Sequence, residues 1–226
     1  MKLYFIPAKY KKEIKFPEKH IKELPERLAL VSPVQFVDHL PKIKEQLESK
    51  GKKVKLIQGK HSRNAGQILG CDVPELPAND IDAFLYIGDG VFHPYEVLYK
   101  NKVDLFIYNP KTHDFYKIGR EEAEINLKKQ KGALAMFYSK KNIGVLISTK
   151  PGQNRLRFTT ELGKKFPDKK FYFFACDTLE YDQMENFPFI EVFINTMCQR
   201  IALDDAKKVP RPIINLEDLP EYKGIA

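Results

Sequence analysis

Apolar runs of strand length alternate along the chain with stretches whose apolar residues recur at helical spacing. "RLALVS" (27–32) reads as a strand and leads into "QFVDHLPKIKEQLESKG", where Phe36, Val37, Leu40, Ile43 and Leu47 mark one helix face that Gly51 ends. "KVKLIQ" (53–58) predicts a second strand, followed by the polar loop "GKHSRNAGQILGCDVPELPAND" and a third strand in "AFLYIGDG" (83–90). "HPYEVLYKN" is helical, "VDLFIYNP" is a strand, and a long helix is expected from about Arg120 to Lys141. The order then recurs. "NIGVLIST" (142–149) is a strand, "KPG" a turn, "QNRLRFTTELGKKF" a helix and "KKFYFFAC" (169–176) a strand. A short helix "LEYDQMENF" and a strand "FIEVFINTMC" (189–198) complete it.

Strands that are apolar without alternation, separated by helices, predict parallel sheets covered on both faces. The halves also align with each other. "LALVSPVQ" matches "VLISTKPGQ", which sets Gln35 opposite Gln153, and "SKGKKVKLIQ" matches "FPDKKFYFFA". "IDAFLYIGDG" matches "FIEVFINTMC". The expected fold is α/β: two tandem Rossmann-like units with helix-flanked parallel sheets, related by internal duplication. The expected boundaries are an N-terminal extension over 1–25, a first domain over 26–120, and a second over 121–226 that includes the connecting helix.

Composition narrows the function. No apolar run approaches the ~20 residues of a membrane span, and the N-terminus "MKLYFIPAKYKKEIKF" lacks a secretory pattern, so a cytoplasmic location is expected. The net charge of +8 favours acidic partners, but the lysines come in pairs at predicted helix ends, where they complement helix dipoles. No aromatic-interleaved basic patch points to nucleic acid. The 3 cysteines disfavour a fully paired disulfide framework. They leave buried apolar thiols, reactive thiols, or ligands to a soft metal or iron–sulfur cluster.

Polar features collect at predicted strand carboxyl ends, where open α/β units place ligands. They are "GDGVFHP" (88–94), "TKPGQ" (149–153), "ACD" (175–177) and "MCQR" (197–200), with Cys71 in the loop before "AFLYIGDG". Taken singly, "GDG" fits a turn, His93 fits a hydrogen-bonded structural residue, and "KPGQ" fits a helix entry. The spacing from Cys71 to Cys176 to Cys198 matches no compact zinc template. It suits a site assembled from separate strand ends, and three thiolates around a 4Fe–4S cluster would leave one iron open.

In this order the motifs "GQILGCDVP" (66–74), "YIGDGVFHP" (86–94), "IYNP" (107–110), "IGVLISTKPGQ" (143–153), "NFPFIEVFINTMCQRIALDD" (186–205) and "RPIINLEDL" (211–219) resemble the diphthamide synthase family. These are the 2-(3-amino-3-carboxypropyl)histidine synthases of archaea and eukaryotes. The resemblance covers residues 25 to 220 or so. It implies a 4Fe–4S cluster held by one cysteine from each of three Rossmann-like domains. It also implies S-adenosylmethionine as the source of a 3-amino-3-carboxypropyl radical, and a histidine of translation elongation factor 2 as acceptor. Members act as homodimers in archaea and as heterodimers of two paralogues in eukaryotes, so a homodimer or a heteromer with a paralogue is implied, with an electron donor protein.

Residue by residue, the resemblance makes Cys71 and Cys198 cluster ligands. It places Gln153, Arg200 and Asp204, with Gly88, Asp89, Gly90 and His93 of the glycine-rich motif, at the S-adenosylmethionine pocket. The sequence departs from the family at two points. Only about 25 residues precede the matching region, where the family has its first domain, and its Cys-Pro-Arg reads Cys198-Gln199-Arg200. Cys176 stands where the family requires no cysteine and is the candidate third ligand; a partner chain or an exogenous ligand is the other source, and a buried inert thiol is the alternative for Cys176. Three further readings stay open: a non-catalytic or electron-relay subunit of a heteromeric synthase, a paralogue with a different acceptor, and a nucleotide-binding module without a cluster.

Overall fold

The structure is a computed structural model that describes residues 6–77, 79–150 and 153–222. The chain divides into two compact units, Met1–Glu124 and Ile125–Ala226. In the first, a five-stranded sheet has the order β2-β1-β3-β4-β5. Its strands are β1 (Arg27–Val31), β2 (Lys53–Leu56), β3 (Ala83–Ile87), β4 (Asp104–Tyr108) and β5 (Phe115–Ile118). β1 to β4 run parallel, and β5 is an antiparallel edge that the apolar pattern did not predict.

The absence of alternation in these strands has a direct structural cause. Leu28 and Leu30 of β1, Leu85 of β3 and Phe106 of β4 pack in one cluster. Their neighbours Ala29, Val31, Phe84, Leu105 and Ile107 pack in a second cluster on the opposite face. Helix α2 (Leu40–Glu48) covers the first face through Leu40, Ile43 and Leu47, the spacing expected of an amphipathic helix. The N-terminal segment shares that face: Ile14, Phe16, Ile21 and Leu24 are buried in the same cluster, with short helix α1 (Glu18–Ile21) among them. The N-terminal end of β1 is tied to β3 by polar groups. Arg27 donates from its main-chain N–H to Asp82 Oδ2 (2.9 Å) and from Nε to Oδ1 (3.1 Å). At the far end of β3, Gly88 N–H donates to the Tyr108 carbonyl (3.0 Å).

The unit boundary falls within α4 (Arg120–Ser139), the predicted long helix. In the second unit β6 (Asn142–Ser148), β7 (Lys170–Cys176), β8 (Val192–Asn195) and β9 (Ile213–Asn215) form a parallel sheet of order β7-β6-β8-β9. The parallel strands of both sheets thus share one order, second-first-third-fourth. Each pair of segments aligned in the sequence occupies the same place in its sheet.

Two predicted elements take a different form. The helix expected over 153–166 breaks into α5 (Leu156–Thr159) and α6 (Leu162–Lys165). At the break Thr159 Oγ1 donates to the Leu156 carbonyl (2.7 Å) and Thr160 Oγ1 to that of Arg157 (2.9 Å), a local bonding pattern that competes with the helix. The strand expected over 189–198 stops at Asn195, because the Asn195 Oδ1 accepts the Met197 N–H (3.1 Å) and turns the chain. Among the described residues no helix is long and apolar enough to cross a membrane.

Candidate functional site

In the first unit the route to Cys71 is set by Gly66, whose φ of +81° favours a residue without a Cβ. The Gly66 carbonyl accepts the Ser32 N–H (2.9 Å) and Ile68 N–H donates to the Ser32 carbonyl (3.0 Å). The segment therefore lies beside the end of β1 and delivers Cys71 to the carboxyl edge of the sheet, where the thiol is exposed. Asp72 fixes the loop: its carboxylate accepts the N–H of Lys60 (2.8 Å) and of His61 (2.6 Å) and the Ser62 hydroxyl (3.5 Å). Gly70 leaves no room for a Cβ against the Phe92 ring, so the Cys71 loop packs on the first turn of α3 (Phe92–Lys100).

That turn continues the glycine-rich motif. Gly90, with φ of +67°, reverses the chain between β3 and α3, while Gly88 is buried against Tyr86. Asp89 is exposed and pairs with Lys111 (2.8 Å). His93 stacks on Tyr86 with ring planes 21° apart, its Nδ1 lying 3.4 Å from the Tyr86 hydroxyl. Burial pushes the Tyr86 phenol well above its ordinary range, which keeps it a neutral donor for His93 or for the Asp89 carbonyl (3.4 Å). Cys71, Gly88, Asp89, Gly90 and His93 are thus gathered on one edge of one sheet.

In the second unit the carboxyl ends of the strands carry Ser148, Cys176, Asn195 and Asn215. Asn195, 1% exposed, is the hub. Its Nδ2 donates to the Cys198 carbonyl (2.8 Å) and to Asn215 Oδ1 (2.7 Å). Asn215 in turn forms a capping box with Asp218, donating its N–H to Oδ2 (2.8 Å), and Gln130 of α4 donates to the same carboxylate (3.2 Å). A buried polar chain therefore runs from α4 to the main chain of Cys198. Burial raises the Asp218 carboxyl above its ordinary range, against the hydrogen bonds from Asn215 and Gln130. A carboxyl raised in the folded state adds stability that is full below its unfolded pKa and is lost as pH rises through the folded one. Chemical denaturation is expected to show this decline in the acid range above the ordinary carboxyl value of 3.8, and Asp218→Asn to flatten it.

Beyond Cys198, helix α7 (Arg200–Leu203) brings Arg200, 3% exposed, onto Asp204 as an ion pair. The two residues that the resemblance assigns to one pocket hold each other. The neighbouring Asp205 does something else: it accepts the Tyr181 hydroxyl and pairs with Lys208 (2.7 Å). Burial, then Asp205, then Cys198 push the Tyr181 phenol up to about 12. Tyr181, Asp205, Lys208, Asn195 and Asn215 were not singled out as site residues in the sequence, although Asn195, Asp205 and Asn215 lie within its family motifs. A polar residue ending the apolar run "VFIN" was the one available signal.

Gln153 is exposed and its N–H donates to the Lys150 carbonyl (3.1 Å), while Pro151 and Gly152 of the same motif lie outside the described residues. Cys176 does end β7, in register with Ser148. Its half-buried side chain packs with Phe174 and Leu179 against a cluster containing Met184 and Phe193. Desolvation there, with Asp177, raises its pKa against the pull of Lys150, so the neutral thiol is favoured. Within either unit, no three His, Cys, Asp or Glu side chains among the described residues converge to hold a metal ion. Among the described residues the first unit carries the thiol of Cys71 on its carboxyl edge and the second carries those of Cys176 and Cys198, a donor type suited to a soft metal cluster.

A family model described as "Putative diphthamide synthesis protein" matches residues 1–220. The chain is 28% identical over 209 residues to the 2-(3-amino-3-carboxypropyl)histidine synthase of Pyrococcus horikoshii, covering 91% of this chain and 59% of that protein. It is 33% identical over 189 residues to the synthase of the same name from Methanocaldococcus jannaschii, covering 77% and 53%. A solved structure described as Dph2 from Pyrococcus horikoshii with 4Fe-4S cluster aligns with a TM-score of 0.70 at 27% identity, over 87% of this chain and 57% of that one. The chain therefore spans somewhat more than half the length of these relatives.

Proposed function

Because the chain belongs to the family of diphthamide synthesis proteins, we propose that it acts in that pathway as an iron–sulfur protein transferring a 3-amino-3-carboxypropyl group from S-adenosylmethionine to a histidine of translation elongation factor 2. The observation that carries this reading is the distribution of the motif residues. Cys71 shares one sheet edge with Gly88, Asp89, Gly90 and His93, and Cys198 shares the other with Arg200 and Asp204. Cys71 and Cys198 are the residues to hold a 4Fe–4S cluster, which when bound would supply one electron to the sulfonium. Cys176 is packed with Phe174 and Leu179 whereas Cys71 is exposed, so on this reading Cys176 is the poorer donor and the third ligand comes from outside the residues described.

The chain's own contribution is positioning. Asp204 offers a carboxylate to the substrate ammonium, and Arg200 fixes that carboxylate. Tyr181 keeps its proton at neutral pH and holds Asp205 beside Cys198. Gly90, exposed and with nothing within 4 Å of where a Cβ would stand, admits close approach of the substrate to main chain.

The test is anaerobic reconstitution with iron, sulfide and excess small thiol, then reduction with S-adenosylmethionine present. Methylthioadenosine is the expected product; deoxyadenosine would sink the reading. A second reading is a non-catalytic or electron-relay subunit of a heteromeric synthase. Turnover that appears only when a longer family member is added would select it.

A further inference from the structure

Sheet edges expose a row of unpaired main-chain groups, and proteins usually guard them with lysines, prolines or short strands. Three of the four edges here follow that rule. β2 carries Lys53 and Lys55, paired with Glu26 and Asp80. β5 carries Lys117, paired with Asp104 (2.6 Å). β9 has 3 residues and follows Pro210 and Pro212. The fourth edge, β7, has Lys170 at its start and then only "FYFFAC". Phe173 is 50% exposed on it, and Phe187 and Phe189 stand beside it at 36% and 47%. Phe187 packs on Phe174 (4.7 Å between centroids) and Phe189 on Tyr172 (4.9 Å), so the exposed rings are fixed in place. Between this edge and the 181–186 turn lies a half-open cavity of about 420 Å³, walled by Phe173, Phe174, Cys176, Leu179, Met184 and Phe187.

The segment that carries the cavity is acidic. Residues 171–199 contain no lysine, arginine or histidine, although the whole chain is +8. The cations nearby include Lys150, which acts on Cys176, and Lys208, over the Tyr181 ring and paired with Asp205. Glu180 lines the cavity, and Asp177, Asp182 and Glu185 are exposed on the same segment, an acidic rim to one side. We propose that β7 and its cavity dock an extended segment of a partner protein, which adds as a strand to β7, places an apolar side chain in the cavity, and sets flanking lysines or arginines against the acidic rim. A second copy of the chain fits less well. Antiparallel pairing of two copies about Phe173 would set Lys170, Phe171 and Tyr172 opposite the cavity. Phe171 and Tyr172 are already packed against their own cores, so neither is available to fill it.

The probe is a fluorescent nine-residue peptide of lysines alternating with valine, leucine and one central phenylalanine, titrated against the full chain by anisotropy. Two controls carry glutamate for each lysine, or proline at alternate positions so that no strand forms. Saturable binding of the lysine peptide is expected, at least tenfold tighter than either control. Phe173→Thr, and Asp177→Asn with Glu180→Gln, are each expected to weaken it at least tenfold with an unchanged circular dichroism spectrum. Absent binding, equal binding of the proline control, or indifference to Phe173→Thr overturns the proposal. So does a dimer in sedimentation that Phe173→Thr dissolves, which would give the edge to a second copy.

Discussion

Cys198→Ala is expected to abolish the iron–sulfur absorption of the reconstituted chain, Cys71→Ala to do the same, and Cys176→Ala to leave it near the wild-type level. The contrast follows from how each sulfur is held. Cys71 is exposed on a loop that Asp72 ties down through Lys60, His61 and Ser62, so a ligand there is presented without local reorganisation. Cys198 sits where Asn195 grips its carbonyl. Cys176 is packed with Phe174 and Leu179, in a setting that favours the neutral thiol, and thiolate is the form that binds iron. Absorption and paramagnetic spectra of the three variants, prepared without oxygen, check this. A lost signal in Cys176→Ala would return that residue to the ligand set, and retained signals in the other two would remove the cluster from the chain's function.

Asn195→Leu is expected to destabilise the second unit by roughly 3 kcal/mol or more. Leucine is close in size, so packing changes little, but three partners lose their bonds: the Cys198 carbonyl, Asn215 Oδ1 and the Met197 N–H. The Cys198 carbonyl keeps the Ile201 N–H and Asn215 Oδ1 keeps the Asp218 N–H, so those two bonds cost about 0.5–1.5 kcal/mol each, while the Met197 N–H left without this acceptor at a site 1% exposed costs about 1–3 kcal/mol. Urea unfolding measures the loss. Asn195→Asp keeps the acceptor for Met197 but sets a buried carboxylate against the Cys198 carbonyl and Asn215 Oδ1, so it should cost at least as much as the leucine variant. A loss under 1 kcal/mol for the leucine variant would mean that the Cys198 turn relaxes freely.

The elements whose apolar residues are buried on both sheet faces were legible because a run such as "AFLYI" has no other stable use in a chain of this kind. β5 and β9 were not, since "FYKI" and "IIN" are short and borrow their pairing from strands distant in sequence. The helix over 153–166 was overestimated because apolar spacing says nothing of hydroxyls that bond back to the main chain. Among site residues, the motif glycines, Cys71 and Cys198 stand out in the sequence, where their types announce their chemistry. Asn195, Tyr181 and Asp205 act through partners brought from elsewhere in the chain, and nothing local to each distinguishes it from an ordinary surface or core residue.

The two-faced apolar strands of the first unit have a consequence for alignment. A one-residue slip normally turns a hydrophobic face toward water, and that penalty fixes which residue sits beside which. In β3 the slip would exchange one apolar face for another, since all of Ala83–Ile87 is buried. The core cannot encode the alignment of this strand. It is encoded at the strand's two ends, where Asp82 meets Arg27 and Gly88 meets Tyr108, so these contacts work as an indexing key that says where an otherwise uniform strand must stop sliding.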